Sequence, residues 1–168
     1  DEICALRPKV HAAIAAQSPG TRLVKTHNCA GFVERHPLHE ASVTAGAIYV
    51  VRDPRDVAVS LSHHFGRDLD AAIERLGDDR VATANDELFV TQVLGSWSHH
   101  VRSWADLAGS RVIVLRYEDL LADPVAGFTE AARLLKLDGD RARVERAVRH
   151  ASFEGLLAQE DREGFAER

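Results

Sequence analysis

The segment Ala47-Ile48-Tyr49-Val50-Val51-Arg52-Asp53-Pro54-Arg55-Asp56-Val57-Ala58-Val59-Ser60 decides how the chain is read. Its apolar, β-branched first half reads as a buried strand, and Arg52 stands where that strand ends. Asp53 is then a helix N-cap, Pro54 takes the first helical position, Asp56 puts negative charge in the first turn, and Ser60 falls on the second turn. A strand that delivers an arginine beside a helix N-terminus is the usual construction of an anion site in an open α/β sheet. Upstream, Leu23-Val24-Lys25-Thr26-His27 reads as a second strand-like run ending in chemically competent residues. The two segments together point to an enzyme acting on phosphate- or sulfate-bearing groups.

Outward from this segment the chain alternates strands and helices. Arg7 to Gln17 reads as a helix closed by Ser18-Pro19-Gly20, and Arg22 to Lys25 as a short strand. Asn28 to Gly46 is irregular. The helix after Asp53 is expected to stop at Gly66, and Asp70 to Leu76 to form another. Apolar residues at spacings of three and four from Leu88 to Leu107 predict one long amphipathic helix over Glu87 to Leu107. Arg111 to Tyr117 reads as a third strand. Helices follow from Pro124 to Leu135, from Asp140 to His150 and from Ser152 to Leu157, with a frayed charged end from Gln159. Strands separated by helices predict an α/β fold: a three-layer parallel sheet with helices on both faces.

At 168 residues the chain suits one domain, 1–168, able to bury roughly 70% of its unfolded surface. The net charge of −5 argues against a general nucleic-acid binder, since no basic excess is there to neutralise a phosphate backbone. Cys4 and Cys29 make neither a disulfide framework nor a metal spacing and read as reduced thiols. No apolar run approaches the roughly 18 residues that span a bilayer. A cytoplasmic protein without membrane or nucleic-acid partners is the expectation.

Lys25 and His27, two apart on a predicted strand, point the same way, with Thr26 opposite. A cation beside an imidazole suits group transfer: the lysine offsets charge on a bridging oxygen, and the histidine removes a proton from the acceptor. Arg52 can grip an anionic oxygen in bidentate fashion, and Ser60 can add a neutral hydrogen bond to the same anion. The nine histidines invite a metal reading. However, adjacent ones such as His63-His64 and His99-His100 point about 100° apart on a helix, and His36 and His39 lack an evident third ligand. Trp97 and Trp104, seven apart, read as core.

In this order the motifs resemble the sulfotransferases that use 3'-phosphoadenosine-5'-phosphosulfate (PAPS). LVKTH is similar to that family's catalytic strand, and YVVRDPRDVAVSLSHHF to its 3'-phosphate-binding strand and helix. GSWSHHVRSW, VLRYEDLLADP and HASFEGL are similar to three further family segments. The resemblance implies a P-loop-NTPase-like sulfotransferase fold and sulfonate transfer from PAPS to an acceptor hydroxyl or amine, releasing 3',5'-ADP with no metal. It implies that Lys25 contacts the transferring sulfonate and that His27 is the general base. Arg52 and Ser60 hold the 3'-phosphate, and Tyr117, Ser152 and Phe153 lie near the adenine. It also implies a preceding strand and lysine-bearing phosphate loop. None occurs within 1–168, and Ala151 and Glu154 replace a threonine and a lysine common in the family, so the chain reads as a partial sulfotransferase domain. The acceptor, oligomeric state and stand-alone activity stay open. So does the rival reading of a non-catalytic α/β remnant. A kinase-like phosphoryl transferase would need a phosphate-loop lysine and a magnesium ligand, neither of which is visible.

Overall fold

The computed structural model describes residues 2–17, 19–84, 90–109, 111–137 and 140–164. The chain divides into two compact units, Asp1–Val114 and Leu115–Arg168.

The first unit opens with α1 (Glu2–Ala16), which packs against a two-residue hairpin of β1 (Phe32–Val33) and β2 (His36–Pro37). This hairpin lies inside the stretch expected to be irregular. β3 (Ala47–Val51) follows and leads into α2 (Pro54–Phe65). The start and stop of α2 are those expected from composition: the Asp53 carboxylate accepts the Arg55 N–H, Pro54 is the first helical residue, and Gly66 adopts the left-handed conformation at φ 59°. α3 (Leu69–Gly77) packs on α2, and Asp68 caps it by accepting from Ala71 N at 2.7 Å. β3 is hydrogen-bonded to β4 (Val112–Arg116) in a two-stranded parallel sheet; Ala47 N–H also donates to Arg111 O at 2.8 Å. Cys4, Cys29, Leu38, Ala58, Ala72, Val81 and Trp104 form this unit's buried apolar core.

In the second unit, α5 (Tyr117–Ala122), α6 (Pro124–Leu134), α7 (Arg141–His150) and α8 (Phe153–Glu163) pack consecutively. The last three start at a side-chain cap: Asp123 accepts from Ala126 N, Asp140 from Ala142 N and Ser152 from Gly155 N. Leu115, Ala131 and Val144 are buried here.

The α/β class is as predicted, but four elements differ. Arg22 to Lys25 is not a strand; 21–29 has no regular structure, and Leu23 and Val24 are 76% and 63% exposed. Strand conformation persists where a neighbour takes up alternate backbone groups, and no ladder forms on this stretch among the described residues. The predicted helix over Glu87 to Leu107 is α4 (Trp97–Ala105) alone. Residues 85–89 lie outside the described residues; Val93 makes an antiparallel bridge with Ala82. Gly95 at φ 67° and Ser96, which caps His99 N, begin the helix there. Tyr117 is the first residue of α5 rather than the end of a strand, with Glu118 and Asp119 supplying acidic first-turn residues. Finally α8 continues through Gln159 to Glu163, with a Gln159–Glu163 side-chain hydrogen bond at 3.1 Å where fraying was expected.

Candidate active site

Residues 27–30 are held in place largely by side chains rather than by a sheet. His27 N–H donates to Gln92 Oε1 at 3.0 Å, and His27 O accepts from His100 Nε2 at 3.1 Å. Asn28 is 5% exposed and bonds in every direction. Its N–H and Nδ2 both donate to Thr26 Oγ1 at 3.1 Å, its Oδ1 accepts from Val93 N at 2.8 Å, and its carbonyl accepts from Trp104 Nε1 at 3.2 Å. Cys29 N–H reaches Val93 O at 2.8 Å and Ala30 N–H reaches Ser103 Oγ at 3.0 Å. Buried backbone groups need such partners, and here helix α4 and residues 92–93 supply them in place of a neighbouring strand.

Arg52 sits at the β3–α2 junction. Its carbonyl accepts from Trp97 Nε1 at 3.2 Å, and its guanidinium pairs with Asp56 Oδ2 at 3.6 Å. Side-chain exposures of 39% and 56% make that a pair worth about 0–1 kcal/mol, which an incoming anion can displace. Asp53 accepts from both the Arg55 backbone and its guanidinium, so it is occupied as a cap.

Trp97, His100 and Trp104 therefore form one stripe on α4 at i, i+3 and i+7. Each ring N–H in the stripe bonds a backbone carbonyl: that of Arg52, of His27 and of Asn28. The junction that carries Arg52 and the limb that carries His27 hang on the same helix face. Lys25 and His27 have exposed side chains, and Ser60 is exposed on the second turn of α2.

Tyr117, Ser152 and Phe153 belong to the second unit. Tyr117 opens α5 at 36% exposure and Phe153 is 79% exposed at the start of α8. The Ser152 hydroxyl accepts the Gly155 N–H at 3.2 Å, so it serves as the helix cap.

Burial sets the protonation of the supporting groups. It pushes His100 and His39 below the usual histidine range and raises Tyr49 to about 12. The Cys29 thiol is also raised by burial, which keeps it protonated and inert. Among the described residues no three His, Cys, Asp or Glu side chains are placed to hold a metal ion. No described helix is long and apolar enough to cross a membrane.

Sequence reasoning treated Trp97 as core and His100 as half of an unsuitable metal pair, and it passed over Gln92, Asn28 and Tyr49. The available signal was the stripe itself. Three rings with polar tips at i, i+3 and i+7 can each satisfy a carbonyl, where a purely apolar stripe would not.

Residues 3–162 match the family model described as "Sulfotransferase domain". Luciferin sulfotransferase of Photinus pyralis is 29% identical over 138 residues, covering 82% of this chain and 36% of that protein. Sulfotransferase 4A1 of Mus musculus is 30% identical over 146 residues, covering 85% and 49%. The chain thus spans between about a third and a half of the length of these curated relatives. Among solved structures, mouse sulfotransferase SULT7A1 complexed with PAP superposes with a TM-score of 0.66 at 24% identity over 86% of this chain and 50% of that one. Retinol dehydratase, in complex with androsterone and inactive cofactor PAP, gives 0.65 at 25% identity over 89% and 42%. The fold is the P-loop-like α/β fold of those structures, and the chain belongs to the sulfotransferase family.

Proposed function

We propose that this chain carries the acceptor-activating and 3'-phosphate-binding part of an enzyme that transfers sulfonate from PAPS to a small-molecule hydroxyl or amine. The observation that carries the reading is the shared mooring of the Arg52 strand end and the irregular limb that carries His27. Helix α4 bonds the Arg52 carbonyl through Trp97 and the His27 carbonyl through His100, three residues apart.

The residues present fit the nucleotide. Arg52 stands at the N-terminal end of the twelve-residue α2 with its guanidinium paired to Asp56 at 3.6 Å, and Ser60 is exposed on the second turn. A phosphate bound there gains two charge-assisted bonds and the favourable end of the helix dipole. PAPS supplies the sulfonate, whose bond to the phosphate oxygen breaks as 3',5'-ADP leaves. In this reading His27 takes the acceptor's proton as the new sulfur–oxygen or sulfur–nitrogen bond forms, and Lys25 places positive charge against the oxygen that bridges the departing phosphate. Both side chains are exposed, as groups that meet two substrates must be.

The test is calorimetry of 3',5'-ADP with the native protein, followed by PAPS turnover with phenolic and amine acceptors. Binding and transfer are expected. His27→Ala should cost on the order of 10²–10⁴ in turnover with 3',5'-ADP binding retained. Absence of nucleotide heat would instead favour a non-catalytic module, and full turnover without His27 would remove its role as base.

A further inference from the structure

We propose that His100 is a positioning residue for His27, fixing the backbone of the base through a Tyr49–His100–His27 hydrogen-bond relay. The inference rests on the reading of His27 as proton acceptor given above.

A general base must stay within hydrogen-bond reach of the proton it takes, yet His27 lies in a stretch with no regular structure and an exposed side chain. Its backbone is held by two side chains, Gln92 and His100. Gln92 lies outside any helix or strand, whereas His100 projects from the second half-turn of α4. A carbonyl only accepts, so the 3.1 Å contact requires the proton on His100 Nε2. In the neutral ring Nδ1 is then an acceptor, and the Tyr49 hydroxyl donates to it at 3.0 Å. The two rings also stack, with centroids 5.6 Å apart at 26°, and Trp104 stacks with Tyr49, its centroid 5.8 Å away at 17°. The imidazole is therefore pinned at both nitrogens and across its plane. Tyr49 belongs to β3, the strand that ends at Arg52, so the relay ties the proton acceptor to the element that carries the candidate phosphate anchor. Half-burial of His100, which favours its uncharged form, agrees with this bonding pattern.

Three measurements on the native protein test the relay. Nitrogen NMR at about pH 7.5 should show His100 neutral with the proton on Nε2. Carbon NMR should show the His27 carbonyl resonance displaced in His100→Ala and returned towards its original position in His100→Gln, whose amide N–H stands near the lost Nε2–H. Turnover should fall on the order of 10²-fold in His100→Ala with 3',5'-ADP affinity little changed, recover most of the way in His100→Gln, and fall less in Tyr49→Phe. An imidazolium or an Nδ1-protonated ring would overturn the proposal. So would full turnover in His100→Ala, or equal losses of turnover and nucleotide affinity in both His100 variants. If His100→Ala does not fold, the ring's tautomer and the Gln and Phe variants decide. A wild-type protein inert towards PAPS would strike at the assigned reaction, whereas an unmoved His27 carbonyl resonance would strike at the relay.

Discussion

The limb carrying His27 and the junction carrying Arg52 solve the same mechanical problem by opposite means. The junction is mostly local, although Trp97 bonds its carbonyl and β4 pairs with its strand. Asp53 caps the helix that follows it, Pro54 presets the first turn and Gly66 ends the last, all within the segment that needs them. The limb is non-local. Its backbone groups are taken by Gln92, Val93, His100, Ser103 and Trp104, 64 to 76 positions away. A site element built by local rules forms whenever its own residues are present, whereas one built by distant side chains depends on the rest of the unit being folded. The proton-accepting side of the candidate site is therefore the more fragile side.

Arg52→Ala is the largest expected departure and strikes the junction's function without its structure. The guanidinium pairs with Asp56 at side-chain exposures of 39% and 56%, so losing that pair should cost little stability. Affinity for 3',5'-ADP should fall by roughly 2–4 kcal/mol, the scale for leaving a bound phosphate without its cation. Calorimetry beside thermal melting separates the two; a matched loss of stability would mean the arginine is structural. Asn28→Ala is the counterpart in the limb. It removes the acceptor for Val93 N–H and the tie to Thr26 from a site that is 5% exposed. Urea unfolding should register a loss of roughly 1–3 kcal/mol. A neutral result would show that the limb is held without it.

The same contrast explains what could be read from the chain alone. The ends of α2, the α3 segment and the starts of α6, α7 and α8 follow from capping residues within a few positions, and the structure has them where those residues stand. One failure is an element whose state depends on a partner elsewhere. Leu23 and Val24 have strand composition, but strand structure needs a neighbour to bond with. The apolar spacing from Leu88 to Leu107 continues a helical period through Gly95-Ser96, yet the local stop and cap outrank it, and Val93 bridges to Ala82 instead. For the candidate site, Lys25, His27, Arg52 and Ser60 were nameable because reactive residue types stood at strand and helix ends. Gln92, Asn28 and Tyr49 were not, because a side chain that satisfies a distant N–H or ring nitrogen carries no mark in its own segment.

Asp53→Ala is a smaller blow to the junction. It removes the acceptor for Arg55 N–H and should cost about 1 kcal/mol, whereas Asp53→Asn keeps a capping side chain and should cost less. Denaturant midpoints for the pair check this. Equal losses would mean that the charge on Asp53, through its 2.6 Å pair with Arg55, matters more than the cap.

The mildest probe is pH, and it should separate the two regions without any mutation. His100 bonds the backbone of the limb and His39 packs on the ring of Trp104 with centroids 4.9 Å apart, and burial holds both below the ordinary histidine range. The ring of His100 faces Tyr49 and feels His27 and His99; that of His39 feels His11 and Arg7; apart from Tyr49 these neighbours oppose a further positive charge. Lowered folded-state pKa values mean that, just below the unfolded value of 6.5, the unfolded chain binds more protons than the folded one. The stability these rings contribute is therefore complete above about pH 6.5 and is lost as pH falls through the window beneath it. The cap of α2 is the Asp53 side chain rather than a histidine, so α2 should be unaffected. Amide resonances of Cys29 and Ala30 should broaden between about pH 6.5 and 5 while those of Arg55 and Val57 hold, and His39→Gln should weaken the effect. Simultaneous broadening of both sets would mean that the limb and the junction loosen together, and the distinction between local and distant support would fail.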